Sequence, residues 1–325
     1  MPQRSKPTNA VQSRRRHYRG RIVNRLDISR GCIQIDLEAE QFTGAKPGHF
    51  VVVQCADNAD RLAGQVWQDS NQWPHASSGE LQGRVALLRR PFSIADMSKG
   101  ADGSVFSLQF HAVGPGTIWL AENAHTGAEL QIIGPLGNGF KIKDVRRAIL
   151  VAGGIGVACM PFLARELRNQ GSEVVLLLGA KNRELIPLAL NEGAVIDEKG
   201  EPSFCCEFFS ALGVKVSIST DDGSVGRLGV ISETLEDYLS CHGELSETGT
   251  VVYTCGPEAM MAKIVQIAGG RHLPCQVCME RQMACGLGAC QSCVCRQKTN
   301  GDKNSWVYKL VCSNGPVFDG HSILW

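Results

Sequence analysis

The stretch CQVCMERQMACGLGACQSCVC, residues 275–295, places six of the chain's fourteen cysteines within twenty-one positions. Thiols at that density make a disulfide knot, a zinc site or an iron–sulfur cluster, and each choice dictates a different protein. The redox compartment narrows the choice. Residues 1–20 carry Arg4, Lys6, Arg14, Arg15, Arg16 and Arg19 with no acid and no apolar run. Such a start lacks the hydrophobic stretch of a secretory signal and reads, over 1–17, as a disordered basic tail. A chain without an export signal is expected in the cytoplasm, where thiols stay reduced and clustered cysteines are metal ligands rather than disulfides.

Spacing narrows it further. Cys285, Cys290 and Cys293 form C-x4-C-x2-C, and Cys312 follows; this is the spacing of plant-type [2Fe–2S] ligands. Two irons and two sulfides need four thiolates, three of them from a loop that curls round the cluster. Gly286, Gly288 and Ala289 keep that loop's wall thin and let backbone N–H groups approach sulfur. A rival reading pairs Cys275-x2-Cys278 with Cys290-x2-Cys293 as a zinc ribbon. It leaves Cys285 and Cys312 unused and gives the glycines no purpose. On the [2Fe–2S] reading Cys275, Cys278 and Cys295 are not ligands.

The remaining residues set the context. A chain of 325 residues with 43% hydrophobic and 20% charged residues has enough for two cored domains and an appendage. A formal net charge of +1 offers no whole-chain attraction for nucleic acid or an anionic membrane. The uncharged run AILVAGGIGVACMPFLA, 148–164, falls short of the roughly 20 apolar residues of a membrane span, and its Gly-Gly-Ile-Gly fits a buried strand, a tight turn and a helix.

Two periodicities divide the chain. GRIVNRL, GCIQIDLEA, HFVVVQCA, RVALLRRPFSIAD, VFSLQFHAV and AELQIIGP are short β-rich runs, and six such runs without long helices predict an antiparallel β-barrel over 18–143. Residues 57–83, rich in Gln, Asn, Ser and Trp, read as a surface insertion. Beyond Arg146 strands alternate with helices: RAILVAGG, VACMPFLARELRNQG, EVVLLLGAKN, VKVSIST, ISETLEDYLS, VVYTCGP and PEAMMAKIVQIAGG predict a doubly wound α/β domain over 144–272. Residues 191–206 fit neither pattern and read as a second insertion. The last piece, 273–325, is too small for a large core and is expected to be organised by its metal. The fold class is thus α/β plus all-β.

Ligand signals lie at the strand ends. Arg89-Arg90-Pro91-Phe92-Ser93-Ile94 offers cations and a hydroxyl for a phosphate, although a basic strand end is more often simply solvated. Gly114, Gly116 and Thr117 precede the helical TIWLAEN, where an anion meets free N–H groups or where an ordinary turn sits. Gly153, Gly154 and Gly156 follow a buried strand and open a helix; without G-x-G-x-x-G spacing they serve a pyrophosphate or only packing. Cys255-Gly256-Pro257 ends a later strand at the same carboxyl edge, and a lone buried thiol there is commonly a core residue.

In this order the pieces resemble the ferredoxin-reductase superfamily. GPLGNGF at 134–140 and MERQMACGLGACQSCVC with VCSNGPVF further resemble the electron-transfer subunits of NAD-dependent dihydroorotate dehydrogenases, over roughly 18–325. The tail, the two insertions and Cys278 depart from that pattern. The resemblance implies a circuit: dihydroorotate is oxidised at FMN in a separate catalytic subunit, and electrons pass through a [2Fe–2S] cluster to FAD and on to NAD. It also implies roles. Arg90, Pro91, Phe92 and Ser93 hold FAD, with Gly114, Gly116 and Thr117 at its pyrophosphate. Gly153, Gly154 and Gly156 face the NAD pyrophosphate, and Cys255, as the catalytic residue, and Gly256 sit beside the nicotinamide. Asp221 or, as preferred, Asp222 bonds a ribose diol, unless Asp-Asp-Gly is only a turn. Cys285, Cys290, Cys293 and Cys312 hold the cluster. The implied partner is the FMN-containing dihydroorotate dehydrogenase subunit, in a heterotetramer. Similar modules serve sulfide dehydrogenases, ferredoxin:NADP oxidoreductases and hydrogenases, and the non-enzymatic reading is a zinc-stabilised nucleotide-binding module.

Overall fold

A computed structural model describes residues 16–56, 88–100, 103–241, 249–299 and 305–325. Almost all of the expected tail and the whole of the 57–83 insertion lie outside these described residues.

Strands β1 (Arg16–Ser29), β2 (Cys32–Ala39), β3 (Phe50–Val53), β4 (Arg90–Lys99), β5 (Ser104–His111) and β6 (Glu129–Leu136) close into a barrel in the order β1-β2-β5-β4-β3-β6. Each neighbouring pair is antiparallel. Side-chain alternation builds it: in β2, Ile33, Ile35, Leu37 and Ala39 are buried while Gln34, Asp36 and Glu38 are only half-buried. Phe42 stacks on Phe106 with ring centroids 4.3 Å apart. Helix α1 (Pro115–Asn123) adds the fully buried Leu120 to this core.

The second unit is one seven-stranded sheet. Strands β7 (Arg147–Gly153), β8 (Glu173–Ala180), β9 (Lys215–Thr220) and β11 (Thr250–Cys255) are parallel, with the short β10 (Arg227–Leu228) at one edge. β7 and β8 are almost continuously apolar because helices cover both faces. Helix α2 (Met160–Asn169) and the short α3 (Glu207–Ala211) pack on one face. Helices α4 (Ile231–Cys241) and α5 (Glu258–Gly270) pack on the other. The helix expected from Val157 begins as a 3-10 turn, Gly154–Cys159, and becomes α-helical at Met160. The order β8-β7-β11 makes β7 the switch point, where open α/β sheets bind ligands at their carboxyl edge.

The sheet runs on past residue 272. β12 (Cys275–Cys278) adds in parallel to β11, and β15 (Val317–Asp319) returns antiparallel beside it. The cysteine-rich segment is therefore held by the sheet at both ends, with the hairpin β13 (Val294–Lys298) and β14 (Trp306–Leu310) between. Residues 191–206 are also tied in: Ser203 bridges Val216, and Cys205 and Cys206 are buried beside Phe209. Their lack of a recognisable period reflects irregular backbone over a packed core.

The three units share one interior. Phe50, Val52 and Leu136 of the barrel, Ile149 and Val252 of the sheet, and Cys293, Val311 and Cys312 fall in a single core cluster. Arg165 of α2 ion-pairs with Asp96 of β4 across the barrel–sheet junction. Among the described residues no helix is long and apolar enough to cross a membrane.

Candidate functional site: two thiol clusters and a nucleotide cleft

Cys285, Cys290, Cys293 and Cys312 meet as two pairs. The Cys285 sulfur accepts from the backbone N–H of Cys290 at 3.4 Å and of Leu287 at 3.3 Å, and the Cys293 sulfur accepts from the N–H of Cys312 at 3.4 Å. A single zinc would draw its four sulfurs into one compact tetrahedron. Among the described residues no three of these four thiols converge that closely; two pairs suit two irons. Amide donation to sulfur is the setting that stabilises bound thiolates. Gly286 and Gly288 take φ of 67° and 85°, and a Cβ on Gly286 would lie 2.6 Å from Val52 Cγ1. The loop therefore passes against barrel strand β3 only because glycine is there. Cys290 is exposed, and its thiol is lowered to about 6, chiefly by the Ser292 hydroxyl and backbone N–H. Burial pushes the Cys312 thiol up to about 12, with the adjacent Cys293 opposing its charge as well.

Two motifs outside the cysteine run brace this loop. Asn138 of GPLGNGF donates to the carbonyls of Ser313 at 3.3 Å and Asn314 at 2.9 Å, and its own N–H reaches Gly315 O at 2.6 Å. Arg281 makes a bidentate pair with Glu258 at 2.7 Å, joining the loop's approach to the first turn of α5.

A cleft of about 670 Å³ opens at the carboxyl edge of the sheet, lined by Gly153, Gly154, Gly156, Gly256, Glu280 and Asp221 among others. Gly154 takes φ of 51° with open space at its Cβ position, whereas a Cβ on Gly156 would lie 2.5 Å from the Cys255 carbonyl oxygen. Gly256, at φ 148°, packs its backbone against Gly153. The two glycine turns thus touch and leave bare backbone facing the cleft. Of the two aspartates, Asp221 lines it. Asp222, the ribose ligand preferred from the sequence, is exposed and folds back onto Ser224, whose hydroxyl first and N–H second, the latter at 2.9 Å, hold its carboxyl below the ordinary range. Here the Asp-Asp-Gly turn uses its second acid as a local cap.

On the barrel, Phe92 points inward and meets Phe110 edge-on at 5.6 Å, so only its backbone is available to a ligand. Pro91 and Ser93 lie opposite Val52 and Phe50 and are half-buried. Arg90 Nη1 donates to Leu88 O at 2.8 Å. The neighbouring Arg89 Nε is buried without a partner among the described residues, the mark of a cation awaiting an acceptor. Thr117 Oγ1 accepts from the N–H groups of Val113 and Gly114 at 3.0 and 3.1 Å, which fixes the turn ahead of α1. Gly114 has open space around it, and the first amides of the helix are left to an anion. These residues fit a flavin dinucleotide, and the two thiol pairs fit a [2Fe–2S] cluster.

A second group of sulfurs was not foreseen as a group. Cys159, Cys255 and Cys278 lie within 4.8 Å of one another, all buried. A thiolate on Cys278 accepts hydrogen bonds from Cys159 and Cys255, so its proton leaves easily. The Cys159 thiol is raised by its hydrogen bonds to Cys255 and Cys278 and by burial. Cys255 is raised too: its bond from Cys159 favours the thiolate, but the bond to Cys278 and burial outweigh it. Glu280, 4.0 Å from Cys255 Sγ, is raised to about 7 by that sulfur and by burial. No single linear motif holds the triad: the register of β12 against β11 sets Cys278 opposite Cys255, and Cys159 joins them from the 3-10 turn ahead of α2.

Comparison with known proteins agrees with this geometry. Residues 280–324 match the family described as the iron–sulfur cluster binding domain of dihydroorotate dehydrogenase B, and residues 150–266 match the oxidoreductase NAD-binding domain. The chain is 32% identical over 271 residues to the dihydroorotate dehydrogenase B (NAD(+)) electron transfer subunit of Caldanaerobacter subterraneus, spanning 81% of this chain and 94% of that one. It is 30% identical over 306 residues to that of Lysinibacillus sphaericus, spanning 93% and 96%. Among solved structures it resembles an NADH-dependent reduced ferredoxin-NADP oxidoreductase, with TM-score 0.67 at 23% identity over 94% of this chain and 90% of the other. The ferredoxin reductase of carbazole 1,9a-dioxygenase follows at TM-score 0.55 and 18% identity, over 80% and 67%. These two likenesses bear on the fold.

Proposed function

Since the chain belongs to the family of dihydroorotate dehydrogenase B electron-transfer subunits, we propose that it carries electrons between an FMN-containing dihydroorotate dehydrogenase subunit and NAD, in pyrimidine biosynthesis. The observation that carries this reading is the pairing of Cys285 with Cys290 and of Cys293 with Cys312 at the junction of barrel and sheet. When bound, the [2Fe–2S] cluster supplies one-electron transfer, FAD exchanges one and two electrons, and NAD accepts hydride.

The chain's own residues orient and insulate these groups. Arg89, Arg90, Pro91 and Ser93 border the flavin, with Phe92 contributing backbone, and Gly114, Gly116 and Thr117 shape an anion site at the start of α1. Gly153, Gly154, Gly156 and Gly256 present bare backbone to the NAD pyrophosphate, and Asp221 takes the ribose diol, disfavouring a 2′-phosphate. Cys255 borders the nicotinamide end, with Glu280 beside it. Four thiolates hold the cluster.

The cluster's outer side is the docking face. Beside the exposed Cys290, the β13–β14 hairpin exposes Trp306, Val307 and Tyr308, and aromatic side chains of this kind anchor interfaces. The catalytic subunit covers that face, in a heterotetramer in the cytoplasm. The domain division consistent with this is 18–143 for flavin, 144–272 for NAD with its sheet completed by β12 and β15, and 273–325 for the cluster. The test is affinity capture from the native source followed by assay: dihydroorotate reduces NAD only when an FMN protein co-purifies. Capture of a different redox partner, with no dihydroorotate oxidation, rejects the reading.

A further inference from the structure

We propose that Cys159, Cys255 and Cys278 form a binding site for one thiophilic d10 cation such as Zn2+ or Cu+, separate from the [2Fe–2S] ligands and set directly behind the nucleotide cleft. Three elements deliver the ligands. Cys255 and Cys278 end the adjacent parallel strands β11 and β12 and stand opposite in register, so both side chains leave the same face of the sheet. Cys159 comes down onto that face from the turn that starts α2, and all three share one core with Leu150, Leu163 and Tyr253. Their exposures of 1%, 2% and 3% mark a site closed to bulk water.

The spacing suits an ion. Metal–thiolate bonds of about 2.3 Å put sulfurs roughly 3.8–4.0 Å apart in tetrahedral or trigonal geometry, inside the 4.8 Å within which these three lie. All three are free thiols. An isolated buried cysteine behaves as a small apolar residue, but three polarisable sulfurs meeting in one dry spot have little to bond to besides one another. Among the described residues the backbone offers Cys159 Sγ the Gly156 carbonyl at 3.4 Å and Cys255 the Gly256 N–H. An all-thiolate set selects soft and borderline cations over Mg2+ or Ca2+. Two strand ends and a helix start hold it more rigidly than a loop would. Glu280 both lines the cleft and approaches Cys255 Sγ, offering an oxygen for a fourth position and a route of entry from the cleft. An ion held there pins Cys255, whose backbone packs against Gly156 at the cleft, and so couples metal occupancy to hydride exchange with NAD. That consequence rests on the function proposed above; the metal site itself does not.

The test uses the full chain with flavin and cluster in place, reduced and free of oxygen, titrated with Cd2+ while iron content is followed in parallel. The expected result is uptake of a single Cd2+ per chain with a thiolate-to-metal charge-transfer band, no loss of iron, and no competition from Mg2+. Cys159→Ala/Cys278→Ser, with unchanged flavin and cluster spectra, is expected to bind Cd2+ at least tenfold more weakly. If that variant fails to fold, X-ray absorption at the cadmium edge of the wild-type protein decides, a sulfur-dominated shell supporting the site and an oxygen or nitrogen shell overturning it. No uptake by the reduced wild type, equal uptake by the double variant, or cadmium entering only as iron leaves also overturns it. Failure of the dihydroorotate assay above leaves this titration unaffected, so the two claims fall separately.

Discussion

Gly156→Ala probes the contact on which the nucleotide cleft depends. A Cβ at this position would lie 2.5 Å from the Cys255 carbonyl oxygen, 2.6 Å from its carbon and 2.7 Å from Gly256 N. Ordinary contact begins near 3.4 Å, so the shortfall is about an ångström, and backbone cannot rotate aside as a side chain does. Overpacking of this kind costs about 1–3 kcal/mol, a fall in Tm of roughly 2–4 °C per kcal/mol. The strain separates the turn after β7 from the end of β11, the two edges that form the cleft floor. A displacement worth 1.4 kcal/mol at the ligand weakens NADH binding about tenfold. Gly171→Ala, outside the cleft, is the control: its φ of 84° penalises alanine by roughly 1–2 kcal/mol, yet no atom lies within 4 Å of the new Cβ. Thermal unfolding and NADH titration of both variants separate the effects. Gly171→Ala lowers Tm modestly and keeps affinity, whereas Gly156→Ala loses both. Wild-type NADH affinity in Gly156→Ala would refute the reasoning, because the two turns would then not define the site.

Other consequences follow from the barrel, the aspartate turn and the hairpin. His49 is buried and its imidazole is lowered to about 4, by burial first and Lys46 second. Below the unfolded value of 6.5 the unfolded chain takes a proton that the fold refuses until about 4, so urea unfolding shows stability falling across pH 6.5 to 4 by up to about 3 kcal/mol; His49→Gln flattens that slope. Asp221→Ala narrows the preference for NADH over NADPH at least tenfold in binding titrations, while Asp222→Ala leaves it unchanged. Tyr308→Asp weakens association with the catalytic partner at least tenfold by sedimentation, with flavin and cluster spectra intact.

Barrel strands such as β2 were legible because they alternate buried and half-exposed side chains, although β3 is buried throughout, and the central sheet strands because uninterrupted apolar runs such as those of β7 and β8 need two covered faces. The iron–sulfur character of the 280–324 segment was equally readable, since loop spacing and glycine placement are local; Cys285, Cys290, Cys293 and Cys312 are the ligand set proposed for it. What sequence left open is long-range or fine in register. The pairing of β12 with β11 sets Cys278 against Cys255 and Cys159, a juxtaposition that separations of more than twenty residues conceal. One residue decides that Asp221 lines the cleft and Asp222 caps a turn. The segment 191–206 looked like an insertion because its buried Cys205 and Cys206 follow neither helical nor strand period. Arg281 and Asn138, which brace the cysteine loop, have partners 23 and 175 or more residues away.

The central claim is that four thiolates in two pairs hold a [2Fe–2S] cluster, and Cys290→Ser tests it most directly because Cys290 is exposed and its loss leaves the core intact. The measurement is electron paramagnetic resonance of the reduced protein, with iron and flavin quantified on the same sample. The account predicts loss of the iron signal and of bound iron while flavin stays at the wild-type level; a full iron signal in the variant would contradict the ligand set.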